Sequence, residues 1–352
     1  MKDDDRGRKL IRELSKTWVV QRLRHIELSA VPIWIGSKVA TVSRYQHSLE
    51  VGKLSLLVSD GDKDERLLLT AAAVLHDVGV GPFPHLSDQA MREALGFSHE
   101  GALKFAFENS PLKDSLVLDN YGLNLGEVAS IVEGKHRLSR FLHGFPDLDN
   151  ADNIYRFIIS APGRPLGEPS YSPCGIARSM SLNEEEQTFP EDLKRRWISD
   201  FKKTYSYLWN DQLNMIGWTM LGRAFRLLME ELTPKFFRLT NKEAFQLVKL
   251  KLPRLAEGLE KREYQIIFDR KYAELKGEAR KLSDPNGISE VERILCRESG
   301  LEEWSLGLTA DQPLLGEKPD HWRIYLVSHK GDEKPRTILE DILSKSRSLS
   351  ER

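Results

Sequence analysis

The residues of this sequence most able to do chemistry are the adjacent His76 and Asp77, which end a mostly apolar segment at residues 63–76. A segment that is apolar nearly all round is expected to form a helix in the protein core. A charged side chain buried there is costly in free energy unless it is paired, hydrogen-bonded or bound to a metal. The pair therefore indicates either a satisfied ion pair or a metal-binding site.

Further donors elsewhere in the chain favour a metal site. His47 lies near the start of a predicted helix at 44–59, and Asp149 lies in the acidic stretch Asp147-Leu-Asp-Asn-Ala-Asp152. In a helix, Asp149 and Asp152 share one face, and such close carboxylates repel one another unless a cation or the helix N-terminus compensates. Two imidazoles and two carboxylates suit a divalent transition metal such as Mn, Fe, Co or Zn. The alternatives are that Asp147 is a helix N-cap and Asp152 a solvated surface charge.

Several blocks of sequence around these residues resemble the HD-domain superfamily, and within it the deoxynucleoside triphosphate triphosphohydrolases, including the SAM-and-HD-domain type. The resemblance covers about residues 15–160 and implies a mainly α fold built on an HD-domain helical bundle. A shorter match, Phe236-Phe-Arg-Leu-Thr-Asn241, stands where that family has a Leu-Thr-Asp motif. The main blocks are Gln21-Arg-Leu-Arg24, Arg44-Tyr-Gln-His-Ser-Leu-Glu-Val-Gly52, His76-Asp-Val-Gly-Val-Gly-Pro-Phe-Pro-His85-Leu-Ser-Asp88, His99-Glu100 and Asp147-Leu-Asp149.

The resemblance also implies a ligand set and a reaction. Carried over by position, the metal ligands are His47, His76, Asp77 and Asp149. Family enzymes break the bond between the α-phosphorus and the 5′-oxygen, which releases a nucleoside and tripolyphosphate. A bound divalent ion polarises the phosphate and lowers the pKa of a water molecule toward neutrality. The implied partners are a nucleoside triphosphate, accompanied by Mg²⁺, and further copies of this chain in a homo-oligomer.

Other residues in the matching blocks are expected to contact the phosphates. His85 and His99 would face them, and one of the two, with His99 preferred, would protonate the departing 5′-oxygen. An acidic partner, Asp88 or Glu100, would fix the tautomer of that histidine. Arg44, three residues before His47, would lie on the same helix face and clamp a phosphate; its alternative role is that of a surface arginine.

Four positions depart from the family pattern and bear on the substrate. Val80 stands where the family has a second histidine, which removes a polar group from the mouth of the site. Glu27 replaces a glutamine that contacts the sugar, and a carboxylate accepts a hydrogen bond but cannot donate one. Asn153 replaces a tyrosine that excludes a 2′-hydroxyl, and Phe157 replaces an aspartate that binds the 3′-hydroxyl. We therefore expect altered or relaxed sugar selectivity, with Glu27 and Asn153 among the substrate-binding residues.

The elements that must position these residues are mainly helices. We expect an HD phosphohydrolase domain at 1–235 and a smaller α+β region at 236–352, which would serve oligomerisation or regulation by the same resemblance. Pro- and Gly-rich residues 160–190 predict a long surface loop, and residues 344–352 predict a disordered tail. Hydrophobic periodicity predicts helices at 17–28, 44–59, 63–76, 99–109, 124–133, 147–160, 211–233, 241–280 with a break at Pro253, and 287–296, and a strand at 321–328.

The composition excludes several classes of protein. The chain has 352 residues, 40% of them hydrophobic and 30% charged, which is typical of a packed globular protein. No apolar run approaches the ~20 residues of a membrane helix, and the N-terminus lacks the apolar stretch of a secretory signal. Two cysteines cannot build a disulfide framework, and a net charge of −1 gives no indication of nucleic-acid binding. These features predict a cytoplasmic protein without a membrane partner.

Two alternative functions remain open at this point. The metal site could catalyse phosphomonoester or cyclic phosphodiester hydrolysis of another nucleotide, which the changes at Glu27, Val80, Asn153 and Phe157 motivate. The chain could also be a regulatory protein that binds a nucleotide or nucleic acid, with hydrolysis weakened through Val80. Retention of all four presumed ligands favours a working metal site over the regulatory alternative.

Overall fold

The computed structural model describes residues 3–36, 42–96, 100–311 and 321–348. The strands are β1 (Tyr264–Tyr272), β2 (Leu306–Asp311) and β3 (Trp322–His329). The α-helices are α1 (Asp3–Leu14), α2 (Trp18–Gln21), α3 (Arg44–Ser55), α4 (Lys63–Leu75), α5 (Asp88–Leu95), α6 (Leu103–Glu108), α7 (Leu112–Asp119), α8 (Leu125–Val132), α9 (Arg140–His143), α10 (Leu148–Ser160), α11 (Pro173–Arg178), α12 (Glu191–Asn210), α13 (Gln212–Leu227), α14 (Pro234–Phe237), α15 (Asn241–Lys251), α16 (Pro253–Glu260), α17 (Pro285–Ser299) and α18 (Lys334–Ser348).

By its contacts the chain forms two compact units rather than two consecutive segments. The first unit comprises Met1–Ala30, Val39–Thr204 and Leu232–Asn241. The second comprises Val31–Lys38, Tyr205–Glu231 and Lys242–Arg352. A single boundary at residue 235 therefore describes the contacts incompletely, because a short early segment and residues 205–231 join the C-terminal part.

The first unit is helical, and α4 lies at its centre, in contact with α1, α3 and α8. All residues of α4 from Leu67 to Leu75 are buried. The helix begins at the N-cap Asp62, whose carboxylate accepts hydrogen bonds from the backbone N–H groups of Asp64 and Glu65. Gly52 of α3 faces α4 so closely that a Cβ atom there would lie 2.4 Å from Cγ2 of Val74. This glycine therefore permits the close approach of α3 and α4.

The second unit combines helices with a three-stranded antiparallel sheet in the order β1-β3-β2. Tyr264 pairs with His329, and Leu306 pairs with Ser328, so β3 is the central strand. Apolar side chains from β2, β3, α17 and α18 form a buried cluster that includes Leu295, Leu308, Leu326 and Leu339. The prediction of a mainly α fold with a small α+β C-terminal region is confirmed.

Several predicted elements differ from those observed. Residues 264–272 were included in a predicted helix but form β1, because they pair with β3, at least 50 residues further along the chain. The 20-residue helix α12 was not predicted. The predicted loop at 160–190 contains α11, and residues 344–348 of the predicted disordered tail belong to α18. Residues 349–352 lie outside the described residues.

Within the described residues, no helix combines the length and the apolar character needed to cross a membrane.

Candidate metal centre

Four side chains that are distant in sequence converge in the first unit. His47 comes from α3, His76 and Asp77 follow the end of α4, and Asp149 lies in the first turn of α10. Nε2 of His47 lies 2.8 Å from Oδ1 of Asp149 and 3.3 Å from Nε2 of His76. Oδ2 of Asp77 lies 3.6 Å from Nε2 of His76 and 3.9 Å from Nε2 of His47. The donor atoms of His47, His76 and Asp149 thus form one group that could hold a metal ion, and Oδ2 of Asp77 lies beside both imidazole nitrogens.

The donor atoms fit a divalent metal ion. Ligand atoms held about 2.1 Å from an ion are separated from one another by roughly 3 to 3.5 Å, close to the spacings found here. Asp77 supports the same interpretation, because its buried Oδ2 has no hydrogen-bond partner among the described residues. An unpartnered carboxylate oxygen in a buried site is costly, and a bound cation would satisfy it.

Each imidazole forms a hydrogen bond through Nδ1, on the side of the ring away from the metal centre. Nδ1 of His47 lies 2.8 Å from Oδ2 of Asp152, and Nδ1 of His76 lies 2.8 Å from the backbone oxygen of Ala73. Because a carbonyl or carboxylate oxygen only accepts, each Nδ1 must donate. This arrangement fixes the tautomer of each ring and leaves Nε2 directed at the centre, as in known metal sites of proteins.

The same contacts determine the protonation of the site without an ion. Burial lowers the pKa of His47, but its hydrogen bonds to Asp149 and Asp152 outweigh that effect and raise the pKa to about 10. Burial raises the pKa of Asp149, but hydrogen bonds from His47 and His76 hold it well below its usual range. A proton on His47 and a divalent cation therefore compete for the same nitrogen.

Arg44 connects the cluster to His85. The Arg44 guanidinium lies 2.5 Å from Oδ1 of Asp77 through Nη1 and 3.3 Å from Nε2 of His85 through Nη2. Burial raises the pKa of the Asp77 carboxyl, but the charges of Arg44, His76 and His47 together outweigh it, so the pKa is lowered. Arg44 is buried, whereas His85 is exposed beside it. Arg44 is therefore not an ordinary surface arginine.

The structure separates the alternatives for the two neighbouring acids of α10. Asp147 is the N-cap of α10, where its carboxylate accepts a hydrogen bond from the backbone N–H of Asn150 at 2.6 Å. Burial and the charge of Asp149 raise the pKa of Asp147 well above its usual range. Asp152 is buried between His47 and Arg156, so the interpretation of Asp152 as a solvated surface charge is wrong.

The remaining predicted site residues occupy different places. Asp88 is the first residue of α5, and Glu100 begins a short 3-10 turn at Glu100–Ala102. Glu27 pairs with Ser43 in an isolated antiparallel bridge just before α3. Asn153 lies one turn after Asp149 in α10. His99 lies outside the described residues, so its predicted role stays a prediction.

The spacing of residues along α10 carries a signal for two residues that support the site, Asp152 and Arg156. Asp152 lies three residues after Asp149 and four before Arg156, a spacing that places all three side chains on adjacent positions of one helix face. Arg156 donates a hydrogen bond from Nε to Asp152, and both side chains are buried. A buried carboxylate paired with a buried guanidinium, on the helix face that carries the presumed ligand Asp149, indicates that the pair supports the metal site.

Comparison with known proteins is consistent with this geometry. The family model described as "HD domain" matches residues 44–155, which include His47, His76, Asp77 and Asp149. No curated protein matches this chain.

Solved structures extend the likeness beyond those residues. A phosphohydrolase from Bacteroides thetaiotaomicron is 16% identical with a TM-score of 0.61, covering 90% of this chain and 95% of that one. A hypothetical protein from Aquifex aeolicus is 15% identical with a TM-score of 0.65, covering 95% of each chain. At these identities the likeness establishes a shared fold. Residues 44–155 thus match an HD domain, and the two solved structures share the fold over most of the chain.

Proposed function

We propose that this chain is a metal-dependent phosphohydrolase that converts a nucleoside triphosphate, with deoxynucleotides as the first candidates, into a nucleoside and tripolyphosphate. The observation that carries the proposal is the convergence of His47, His76, Asp77 and Asp149, including a buried carboxylate oxygen of Asp77 that lacks a hydrogen-bond partner among the described residues and that a cation would satisfy. The name of the Bacteroides relative, a phosphohydrolase, supports the reaction class.

The proposed reaction is a hydrolysis that balances without a co-reactant. A water oxygen bonds to the α-phosphorus, the bond from that phosphorus to the 5′-oxygen breaks, and the 5′-oxygen takes a proton. When bound, a divalent ion would act as a Lewis acid on the phosphate and activate water. The two imidazoles and two carboxylates would hold it, with Asp152 and the Ala73 carbonyl keeping the imidazoles in position.

Arg44 and His85 are the proposed contacts for the phosphate chain. Arg44 carries its charge between Asp77 and His85, so a phosphate that approaches His85 meets a guanidinium held in a defined orientation. His85 is exposed and therefore accessible to a solute. His99 remains the proposed acid for the departing 5′-oxygen, with Asp88 or Glu100 as the partner of the acting histidine.

Asn153 is the proposed contact for the sugar. It lies one turn from Asp149, and its buried Oδ1 has no hydrogen-bond partner among the described residues. An amide oxygen in this position accepts a hydrogen bond from a sugar hydroxyl, whereas a tyrosine ring would exclude one. We therefore expect ribonucleotides to be hydrolysed as well as deoxynucleotides, with Glu27 as a second acceptor near the sugar.

Product analysis tests the proposed function. Purified full-length protein is incubated with Mn²⁺ and each of the four dNTPs and four NTPs, and the products are separated by anion exchange. We expect a nucleoside and tripolyphosphate in equal amounts. Inorganic phosphate or a nucleoside monophosphate as the sole product would reject the proposed cleavage position and favour the other hydrolase reactions.

Two variants show whether the products come from this site. Asp77→Ala is expected to abolish both the bound metal, measured by elemental analysis, and product formation. Asp192→Ala changes an exposed aspartate of α12 and is expected to leave both unchanged. Hydrolysis that persists in Asp77→Ala would place the activity elsewhere.

A further inference from the structure

The turn that carries His85 has an unusual backbone conformation. Phe83 has φ +54° and His85 has φ +66°, both in the left-handed region although neither is glycine. Such conformations cost free energy for residues with a Cβ atom, and they persist when the surrounding structure imposes them. The turn therefore needs contacts from other segments to hold it.

Asn241, far away in sequence, supplies one of these contacts. Its Oδ1 accepts a hydrogen bond from the backbone N–H of Phe83 at 3.0 Å. The side chain is buried, with only 2% of the residue exposed. Because Phe83 is one of the two left-handed residues, the hydrogen bond acts directly on the strained part of the turn.

Arg22 holds the segment that leads into this turn. From Nη2 it donates to the backbone oxygens of Val78 at 3.0 Å and Val80 at 2.5 Å, and from Nη1 to that of Phe237 at 3.1 Å. The guanidinium also lies over the Phe237 ring, 4.4 Å from its centroid. One buried cation thus joins the segment after Asp77 to the segment that leads to Asn241.

The held turn determines where the His85 ring lies. Nε2 of His85 is 3.3 Å from Nη2 of Arg44, whose other nitrogen contacts Asp77. A change of φ at Phe83 or His85 would move this ring relative to Arg44. It would leave His47, His76 and Asp149 in place, because His47 and Asp149 belong to α3 and α10 and His76 directly follows α4.

We propose that Asn241 and Arg22 are positioning residues for His85: Asn241 holds the left-handed Phe83, and Arg22 holds the preceding segment at Val78 and Val80, so that the imidazole stands beside Arg44 at the metal centre. The inference rests on the proposed function for the role of His85 in hydrolysis. The role of Asn241 and Arg22 in the conformation of the turn is a separate, directly measurable claim.

Asn241→Leu removes the acceptor at similar size, and Asn241→Asp keeps an acceptor oxygen. We expect Asn241→Leu to speed amide hydrogen exchange in residues 83–87, to shift the imidazole NMR signals of His85, and to lower kcat by about tenfold to a hundredfold. The Kd for Mn²⁺, measured by calorimetry, is expected to change less than twofold. Asn241→Asp should retain wild-type amide exchange and most of kcat. Arg22→Lys, whose single nitrogen cannot take the places of both Nη1 and Nη2, should behave like Asn241→Leu.

A matched control is Asn124→Leu. Asn124 is the N-cap of α8, where its Oδ1 also accepts backbone N–H groups, at 2.7 and 3.2 Å. We expect this variant to lose stability without any change in exchange at 83–87 or in kcat. If Asn241→Leu does not fold, the smaller Asn241→Ser takes its place in every comparison.

The proposal would be overturned if Asn241→Leu left both the amide hydrogen exchange of residues 83–87 and the imidazole NMR signals of His85 unchanged. So would an equal loss of kcat in Asn241→Asp or in Asn124→Leu. If the wild-type protein hydrolyses no nucleotide, the proposed function fails, and the exchange and NMR results alone decide whether Asn241 and Arg22 position His85.

Discussion

Nδ1 of His47 lies 2.8 Å from Oδ2 of Asp152, and the same carboxylate accepts a hydrogen bond from Arg156. The three residues form a buried chain in which α10 orients an imidazole of α3. The arrangement keeps Nε2 of His47 available to a metal and stabilises positive charge on that ring.

Replacement of Asp152 tests this relationship. We expect Asp152→Asn to weaken Mn²⁺ binding about 10-fold to 100-fold, because the ring of His47 loses its charged acceptor and its fixed tautomer. Calorimetric titration of the metal-free protein measures the effect. Asp200→Asn is the control, since Asp200 is equally buried and accepts hydrogen bonds from Ser170; an equal loss of affinity there would contradict the assigned role.

Arg44 should affect metal and substrate in opposite directions. In Arg44→Gln the Asp77 carboxylate loses its ion pair with a guanidinium. Its negative charge is then less compensated, so the affinity for Mn²⁺ is expected to stay the same or to increase. The KM for a nucleoside triphosphate is expected to rise about tenfold, because a charged phosphate contact is lost. Calorimetry and steady-state kinetics measure the two effects. Weaker metal binding together with an unchanged KM would show that Arg44 serves only the metal ligand.

Gly52 should be intolerant of even a single added methyl group. In Gly52→Ala the Cβ atom would meet Val74 at 2.4 Å, which forces α3 away from α4. We expect a loss of roughly 1–3 kcal/mol in the free energy of unfolding and weaker metal binding, since these helices carry His47 and lead to His76. Denaturant unfolding measures the stability. Gly175→Ala is the control in α11, where the nearest atoms are 3.7 Å away and no loss is expected.

The second unit contains a buried ion cluster that should dominate its stability. Glu292 is fully buried and accepts hydrogen bonds from Arg223 at 2.7 Å, Arg226 at 2.6 Å and the backbone N–H of Leu308 at 2.8 Å. Glu292→Gln would leave two guanidinium groups without their counter-charge, at a cost of about 3–5 kcal/mol. Thermal unfolding measures this, with Glu290→Gln as the control in an exposed pair; equal changes in Tm would refute the prediction.

A half-buried pair in the second unit should contribute to acid stability. His329 lies 3.0 Å from the Glu263 carboxylate, and this hydrogen bond lowers the pKa of Glu263 below its ordinary value of 4.5. The pKa of Glu263 is lower in the folded than in the unfolded protein. Its contribution to the free energy of unfolding is therefore complete above about pH 4.5 and is lost as the pH falls through the folded-state pKa. We expect Glu263→Gln to flatten the acid side of the stability profile in urea unfolding. The exposed Glu108→Gln should leave the profile unchanged.

The helices around the site could be predicted from the sequence because they depend on residues that are close together along the chain. Apolar runs and N-cap residues such as Asp62 and Asp147 act within a few residues, and α4 and α10 lie within one residue of their predicted bounds. Strand β1 was missed because its hydrogen-bond partner β3 lies far along the chain. The local pattern of apolar residues does not distinguish a strand from a helix in this segment. Helix α12 was missed because its charged residues obscure a narrow buried face that includes Trp197 and Phe201.

The sequence by itself determined which residue types were present for a metal site, and their likeness to a known pattern brought His47, His76, Asp77 and Asp149 together as a hypothesis. Only the tertiary structure decided that Asp152 is a buried support, that Arg44 joins Asp77 to His85, and that Asn241 and Arg22 hold a strained turn. Hydrogen bonds depend on distances of a few ångströms between segments separated by up to 215 residues, and those distances are set by how the helices pack. Local sequence patterns carry no information about them.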